Sequence, residues 1–340
     1  MAFAHAFATH CQVPLALDMS AAQDVLPVRV ALFGECMLEL QGQAFGTMTQ
    51  GYGGDTLNTA VYLARCTRRS EVAVDYATAL GDDGLSAGMM ARWAAEGIGL
   101  RLVRRLPGRM PGLYLIEVDA RGERRFSYWR DAAAARAYFD GDAASPLEAE
   151  PLPCDWLYFS GISLAILPPA GRERLFALLD RIRRAGGRVV FDNNYRPRLW
   201  PDAAQARAAY ADAFARADIA LLTLDDHQAL LAETDADRAL AHAAALPVPE
   251  LVVKRGAAPT LLRDRDGPWR AVPTEPVPRV VDTTAAGDAF AAAYLARRLA
   301  GAVPEVAAAL GNRLAARVIQ HRGAVIPVEA MADLLPAAAT

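Results

Sequence analysis

Two aspartates bracket a run of small residues late in this 340-residue chain, Asp282-Thr283-Thr284-Ala285-Ala286-Gly287-Asp288. Small side chains at 285–287 let a phosphate approach the backbone closely, and Gly287 is the position that tolerates an unusual φ. Val280-Val281 reads as the end of a buried strand ahead of the run, and residues 289–299 read as a helix behind it. A helix start offers unpaired N–H groups and a positive dipole end to a developing anion. Asp288 is then placed to face both a hydroxyl and a phosphoryl group, the position of a general base. An aspartate before a helix is ordinarily its cap. Capping does not account for two of them around two threonines and three small residues.

The elements that must position this segment follow from the apolar pattern. The first clear strand is Val28–Phe33, ending in Gly34-Glu35, and a second is Val72–Leu80, ending in Gly81-Asp82. Between them Gly51-Tyr52-Gly53-Gly54-Asp55 breaks into a helical pattern over 56–65. Residues 112–130 alternate polar and aromatic side chains about a Gly-containing turn at 119–122, which predicts a β-hairpin with one face open to solvent or ligand. Beyond Pro153, short apolar strands at Trp156–Ser160, Arg188–Asp192, Ile219–Thr223 and 251–254 alternate with helical segments. That rhythm predicts an α/β fold, a mainly parallel sheet with helices on both faces. Ligands of such sheets bind beyond the carboxyl ends of the strands. There the sequence places Gly34-Glu35, Asp192-Asn193-Asn194, Asp225-Asp226 and Lys254-Arg255-Gly256.

Composition removes other classes. The net charge is −3 and the arginines are scattered among acids, which gives no footprint for nucleic acid. Four cysteines stand far apart, without a CxxC or a Cys/His cluster, so neither a zinc site nor a disulfide framework is implied. No apolar run approaches the ~18 residues of a membrane span. The first 27 residues are Ala-rich and begin without a basic region, so they read as a poorly ordered extension, and the chain as cytoplasmic. A P-loop GxxxxGK[ST] and a GxGxxG after the first strand are both missing.

The segment from Asp282 to Leu295 is similar to the carboxy-terminal signature of the ribokinase-like (PfkB) carbohydrate kinases. Gly53-Gly54-Asp55-Thr56-Leu57-Asn58-Thr59-Ala60 resembles their amino-terminal signature, with Thr67 where a small residue is usual. The resemblance covers roughly residues 28–328 and implies a three-layer αβα sandwich with a small β-sheet lid. Residues 28–330 would form the kinase domain, with lid strands from about 37–52 and 112–130.

Within the family, Gly34 to Leu40, Gly112 to Ile116, Arg124 to Arg130, Phe191 to Trp200 and the Thr-Thr-Ala-Ala loop look like the branch acting on 2-keto-3-deoxygluconate. That sugar acid carries a carboxylate, which a guanidinium reads with paired donors. The resemblance implies that Gly54, Asp55 and Asn58 bind substrate hydroxyls, and that Tyr114, Tyr128 and Arg130 reach the substrate from the lid. Asn194 and Arg196 would lie between substrate and phosphates. Lys254, Gly256 and residues 285–287 would line an ATP site, with Asn312 near the adenine. Many relatives help hold Mg²⁺ through water with an Asn-x-x-Glu motif. Here the stretch is Thr223-Leu224-Asp225-Asp226-His227, and Asp226 is its substitute or else a helix cap. Ala289 and Ala291 stand where polar residues are frequent. A homo-oligomer formed through the lid is also implied. A fructokinase- or ribokinase-like activity, or a non-catalytic sensor on the same scaffold, remains open at this point.

Overall fold

The mainly apolar run Val28–Phe33 forms the interior strand β1, whose alternate side chains enter two different cores. Ala31 and Phe33 face one side of the sheet, and Val30 and Leu32 face the other. Fully burying a Leu or Phe side chain contributes roughly 1.5–3 kcal/mol, so a strand apolar on both faces is driven to the middle. The computed structural model describes residues 26–118 and 124–336. Residues 1–25 of the amino-terminal extension and the hairpin turn at 119–122 lie outside them.

Strands β2 (Met37–Gly42) and β3 (Met48–Gly53) follow, then helix α1 (Asp55–Cys66) and strand β4 (Val72–Leu80). Helix α2 (Gly84–Ala95), strand β5 (Val103–Arg105) and the hairpin β6 (Leu113–Val118) and β7 (Arg124–Trp129) complete the first half. The second half runs β8 (Trp156–Ser160), α3 (Gly161–Ile166), α4 (Pro169–Arg184), β9 (Arg188–Asp192), α5 (Ala203–Arg216) and β10 (Ile219–Thr223). It continues with α6 (Leu224–Leu231), α7 (Ala236–Ala244), β11 (Glu250–Arg255), β12 (Ala258–Asp264), β13 (Arg270–Val272), α8 (Ala286–Leu299) and α9 (Pro304–Val318).

Among the described residues, nine strands make one sheet in the order β13-β12-β11-β10-β9-β8-β1-β4-β5. From β11 to β5 every pairing is parallel, while β12 and β13 close one edge antiparallel. Helices α1, α2, α8 and α9 pack on one face through Leu57, Trp93, Tyr294 and Leu314. Helices α4 to α7 pack on the other through Leu179, Phe214, Leu230 and Ala243. A second sheet, β3-β2-β6-β7, pairs β2 with β6 in parallel and forms a lid. The fold is the expected mainly parallel α/β sandwich with a small additional sheet.

Two expectations around the small-residue run need correction. Val280 and Val281 do not end a buried strand: both are exposed, and no strand covers them. The Val281 amide instead donates to the carbonyl of Ile319, past the end of α9, at 2.8 Å. Their β-branched side chains favour extended backbone, but no neighbouring strand is there to pair with it. Helix α8 also starts three residues earlier than its apolar pattern suggests, at Ala286.

Candidate active site

Because α8 begins at Ala286, Asp288 rides on its first turn rather than in the loop before it. The helix has no side-chain cap; its N-cap residue is Ala285, held in the left-handed region at φ 61°. The unusual backbone conformation therefore falls on Ala285, and Gly287 is an ordinary helical residue. A non-glycine residue in that region costs about 1–2 kcal/mol, and such strain collects where a site dictates backbone geometry. Asp282 is no cap for α8 either. Its carboxylate accepts from the Thr284 amide and hydroxyl at 3.1 and 2.7 Å and from the Gly323 amide at 3.0 Å, tying the turn to the segment after α9.

Helix α1 crosses beside α8 and brings the second signature to the first. The Asn58 amide donates to Oδ2 of Asp288 at 2.8 Å across 230 residues of sequence. One turn earlier, Asp55 accepts from the Asn194 amide at 2.6 Å. Gly54 lets this happen: a Cβ there would stand 2.1 Å from the carbonyl oxygen of Glu35. Any side chain would push α1 away from the strand ends.

Lys254, at the end of β11, donates to Asp192 Oδ2 at 2.9 Å, and its ammonium lies 3.4 Å from where a Cβ on Gly287 would be. The positive charge is thus fixed beside the helix start. Burial pushes the Asp288 carboxyl up to about 8; the charges of Asp55 and Asp192 add to this, while Asn58 and Lys254 oppose it. Burial likewise raises Asp55, against hydrogen bonds from Ser160, the Thr56 amide and Asn194. Asp55, Asp192 and Asp288 thus crowd around one ammonium, and their mutual repulsion and burial favour the protonated form of Asp288.

The two candidate arginines are each paired within the protein. Arg130 Nη2 donates to Oε2 of Glu35, both side chains being almost wholly buried. Arg196 Nη1 donates to both oxygens of Asp226 at 3.1 and 3.2 Å. A half-buried guanidinium without a counter-charge is costly. Asp226 sits in the first turn of α6 and does not cap it. Burial raises its carboxyl, with Arg196 opposing. Tyr114 donates its hydroxyl to Glu39, and Tyr128 pairs with it across the lid, rings 6.0 Å apart, with Tyr128 49% exposed.

Gly256 makes the tight turn between β11 and β12 at φ 59°. Asn312, on α9, is engaged at both ends of its amide: it accepts from Thr260 at 2.8 Å and donates to the Pro273 carbonyl at 2.9 Å. Its side chain fastens the β12–β13 edge to α9, a wall-building contact rather than an open hydrogen-bonding group. Glu35, Glu39 and Asp192 acquire roles that the sequence alone did not assign. The signal for Glu35 and Asp192 was their place at strand ends.

Comparison with known proteins decides the family. The family model described as pfkB family carbohydrate kinase matches residues 28–331. The chain belongs to the pfkB family of carbohydrate kinases. This kinase is 48% identical over 304 residues to the 2-dehydro-3-deoxygluconokinase of Dickeya dadantii, covering 89% of this chain and 98% of that one. It is 45% identical over 305 residues to the 2-dehydro-3-deoxygluconokinase of Escherichia coli K12, with 89% and 98% covered. A fructokinase of Klebsiella pneumoniae is 30% identical over 288 residues, with 84% and 90% covered. Among solved structures, a PfkB protein from Polaromonas superposes with a TM-score of 0.73 at 28% identity, over 86% of this kinase and 96% of that chain.

Proposed function

We propose that this kinase transfers the γ-phosphoryl group of ATP to the 6-hydroxyl of 2-dehydro-3-deoxygluconate, with Asp288 as general base. The observation that carries the reading is Asp288 itself. It is a carboxylate on the first turn of α8, hydrogen-bonded to Asn58 of the other signature and flanked by the Lys254 ammonium. The sugar-acid assignment is supported by the 45–48% identity to 2-dehydro-3-deoxygluconokinases against 30% to a fructokinase.

In this reading Asp288 accepts the proton of the attacking hydroxyl, while Gly54, Asp55 and Asn58 hold neighbouring hydroxyls. The first-turn amides after Ala285 and the Lys254 ammonium stabilise charge on the transferring phosphoryl oxygens, where most of the catalysis of such reactions resides. Asn194 and Arg196 lie between the two substrates, and Gly256 and Asn312 shape the adenine side. Among the described residues, no cluster of three or more His, Cys, Asp or Glu is arranged to hold a metal. Mg²⁺ would come with the nucleotide phosphates and be held through water; Asp226 is the fitting donor. When bound, Mg²⁺ neutralises charge on the phosphates. Tyr114, Tyr128 and Arg130 close over the sugar from the lid and exclude water that would otherwise hydrolyse ATP.

Pairing of two copies through the outer face of the lid, where Trp129 is exposed, belongs to the same reading and is checked by sedimentation. Among the described residues, no helix is long and apolar enough to cross a membrane. Phosphorus NMR of the product tests the reaction: a primary phosphate monoester at C6 is expected, and a phosphate elsewhere on the sugar, or free phosphate alone, contradicts it.

A further inference from the structure

Two acids each hold one polar side chain of the lid, Glu39 from within the lid sheet and Glu35 from the turn that joins it to the core. Glu39 of β2 accepts from Tyr114, and Glu35, between β1 and β2, accepts from Arg130. The second tie is the odd one. Glu35 and Arg130 come from positions 95 residues apart, and their side chains are 1% and 10% exposed. Glu35 uses only Oε2; its Oε1 is buried without a hydrogen-bond partner, as is Arg130 Nε. Gly112 covers that oxygen, since a Cβ there would come within 2.8 Å of Oε1 and 3.2 Å of Arg130 Cβ.

A buried ion pair with orphaned atoms on both partners is a poor stabiliser, because desolvation offsets the attraction and the orphans add their own cost. What it supplies is direction. The Nη2 bond to Glu35 and the close approach of Gly112 to the arginine stem restrict how the guanidinium can turn. Its Nη1 side has no protein partner among the described residues. Glu35 also adjoins the substrate floor, since its carbonyl oxygen abuts Gly54 and the charge of Asp55 reaches its carboxyl.

We infer that Glu35 is a positioning residue for substrate specificity: it orients Arg130 so that the free edge of the guanidinium reads the carboxylate of the sugar acid. This rests on the function proposed above. It adds that discrimination between a sugar acid and a neutral sugar depends on a residue that touches neither the carboxylate nor the phosphates.

Steady-state kinetics of two conservative variants test it. Glu35→Asp keeps the charge but retracts the oxygen by one methylene, so Arg130 loses its setting. KM for 2-dehydro-3-deoxygluconate is expected to rise about tenfold, with kcat and the KM for ATP within about twofold. Glu35→Gln keeps the length and an acceptor but gives Arg130 a weaker, uncharged partner, and is expected to raise the same KM by about threefold, less than Glu35→Asp, with the KM for ATP unmoved. A simple lid latch would instead move sugar and ATP constants together, and a purely electrostatic role would make Gln the worse variant. The inference is overturned if Glu35→Asp keeps the wild-type KM, if it raises the KM for ATP in step, or if the order of the two variants is reversed. Should Glu35→Asp not fold, Glu35→Gln decides: a rise of about threefold in the KM for the sugar acid alone upholds the inference, and an unaltered KM, or one that rises in step with the KM for ATP, overturns it. Wild-type enzyme inert toward the sugar acid would overturn the function reading, and this inference with it. Wild-type activity with an unaltered Glu35→Asp variant overturns this inference alone.

Discussion

At Asp288, burial and the charges of Asp55 and Asp192 keep the carboxyl protonated up to about pH 8, whereas a general base must be ionised. The kcat/KM of the free enzyme should therefore rise with pH through about 8, and a profile flat from pH 6 to 9 would argue against Asp288 as the group. The same shift has a cost in stability. The folded-state pKa lies above the ordinary aspartate value, so between about pH 4 and 8 the folded state binds the extra proton, and stability falls as pH rises through that window. Asp288→Asn, which cannot ionise, should lower turnover by about 10²–10⁴-fold. In calorimetry it should also raise Tm at pH 8 by about 2 °C or more and much less at pH 5. A variant that loses activity and melts earlier at pH 8 would mean that the carboxylate is needed for packing. Asp288 was legible in the sequence because its neighbours are small and its partner signature is distinctive. Glu35 was legible only as a polar residue at a strand end; its ion pair to Arg130 was not, because nothing local announces a contact 95 residues away.

Among the elements, the strands were the most legible. Val28–Phe33, Val72–Leu80 and Ile219–Thr223 are mainly apolar runs largely buried on both faces, which sets them apart from their polar flanks. The start of α8 was not legible, since Ala285-Ala286-Gly287 has no periodicity by which a helix could be recognised. Nor did the sequence show that the strained backbone belongs to Ala285 rather than to Gly287. Removing that strain gives a direct measure of it: Ala285→Gly should gain up to about 1 kcal/mol in denaturant unfolding, since glycine adopts positive φ without the Cβ clash. Unchanged or lower stability would mean that the loop imposes no strain. The junction of α1 with the strand ends predicts the opposite sign. Gly54→Ala places a Cβ 2.1 Å from the Glu35 carbonyl oxygen. It should cost about 2 kcal/mol or more and weaken sugar binding, as overpacking against backbone does. A Gly54→Ala enzyme with wild-type stability and KM would show that α1 can shift freely.

For the molecule as a whole, the large sheet supplies a row of strand ends at which Asp192, Asn194 and Lys254 meet α1 and α8, and the lid supplies Tyr114 and Arg130 from above. Arg196 faces Asp226 at the same edge. The fold class followed from the strand–helix rhythm. The antiparallel edge β12–β13 and the use of Asn312 to hold it did not, because short edge strands carry little apolar signal. If the site closes around a sugar acid, ligand binding must stabilise the folded kinase, by about 2.7 kcal/mol at a hundredfold excess over Kd. The central claim, however, is transfer to a carboxylated sugar, and coupled ATP-consumption kinetics test it most directly. With 2-dehydro-3-deoxygluconate, fructose and ribose compared on one enzyme preparation, the account expects kcat/KM for the sugar acid to exceed both neutral sugars by about 10³-fold or more, the margin a buried ionic contact provides. Equal or higher kcat/KM for fructose or ribose would contradict it.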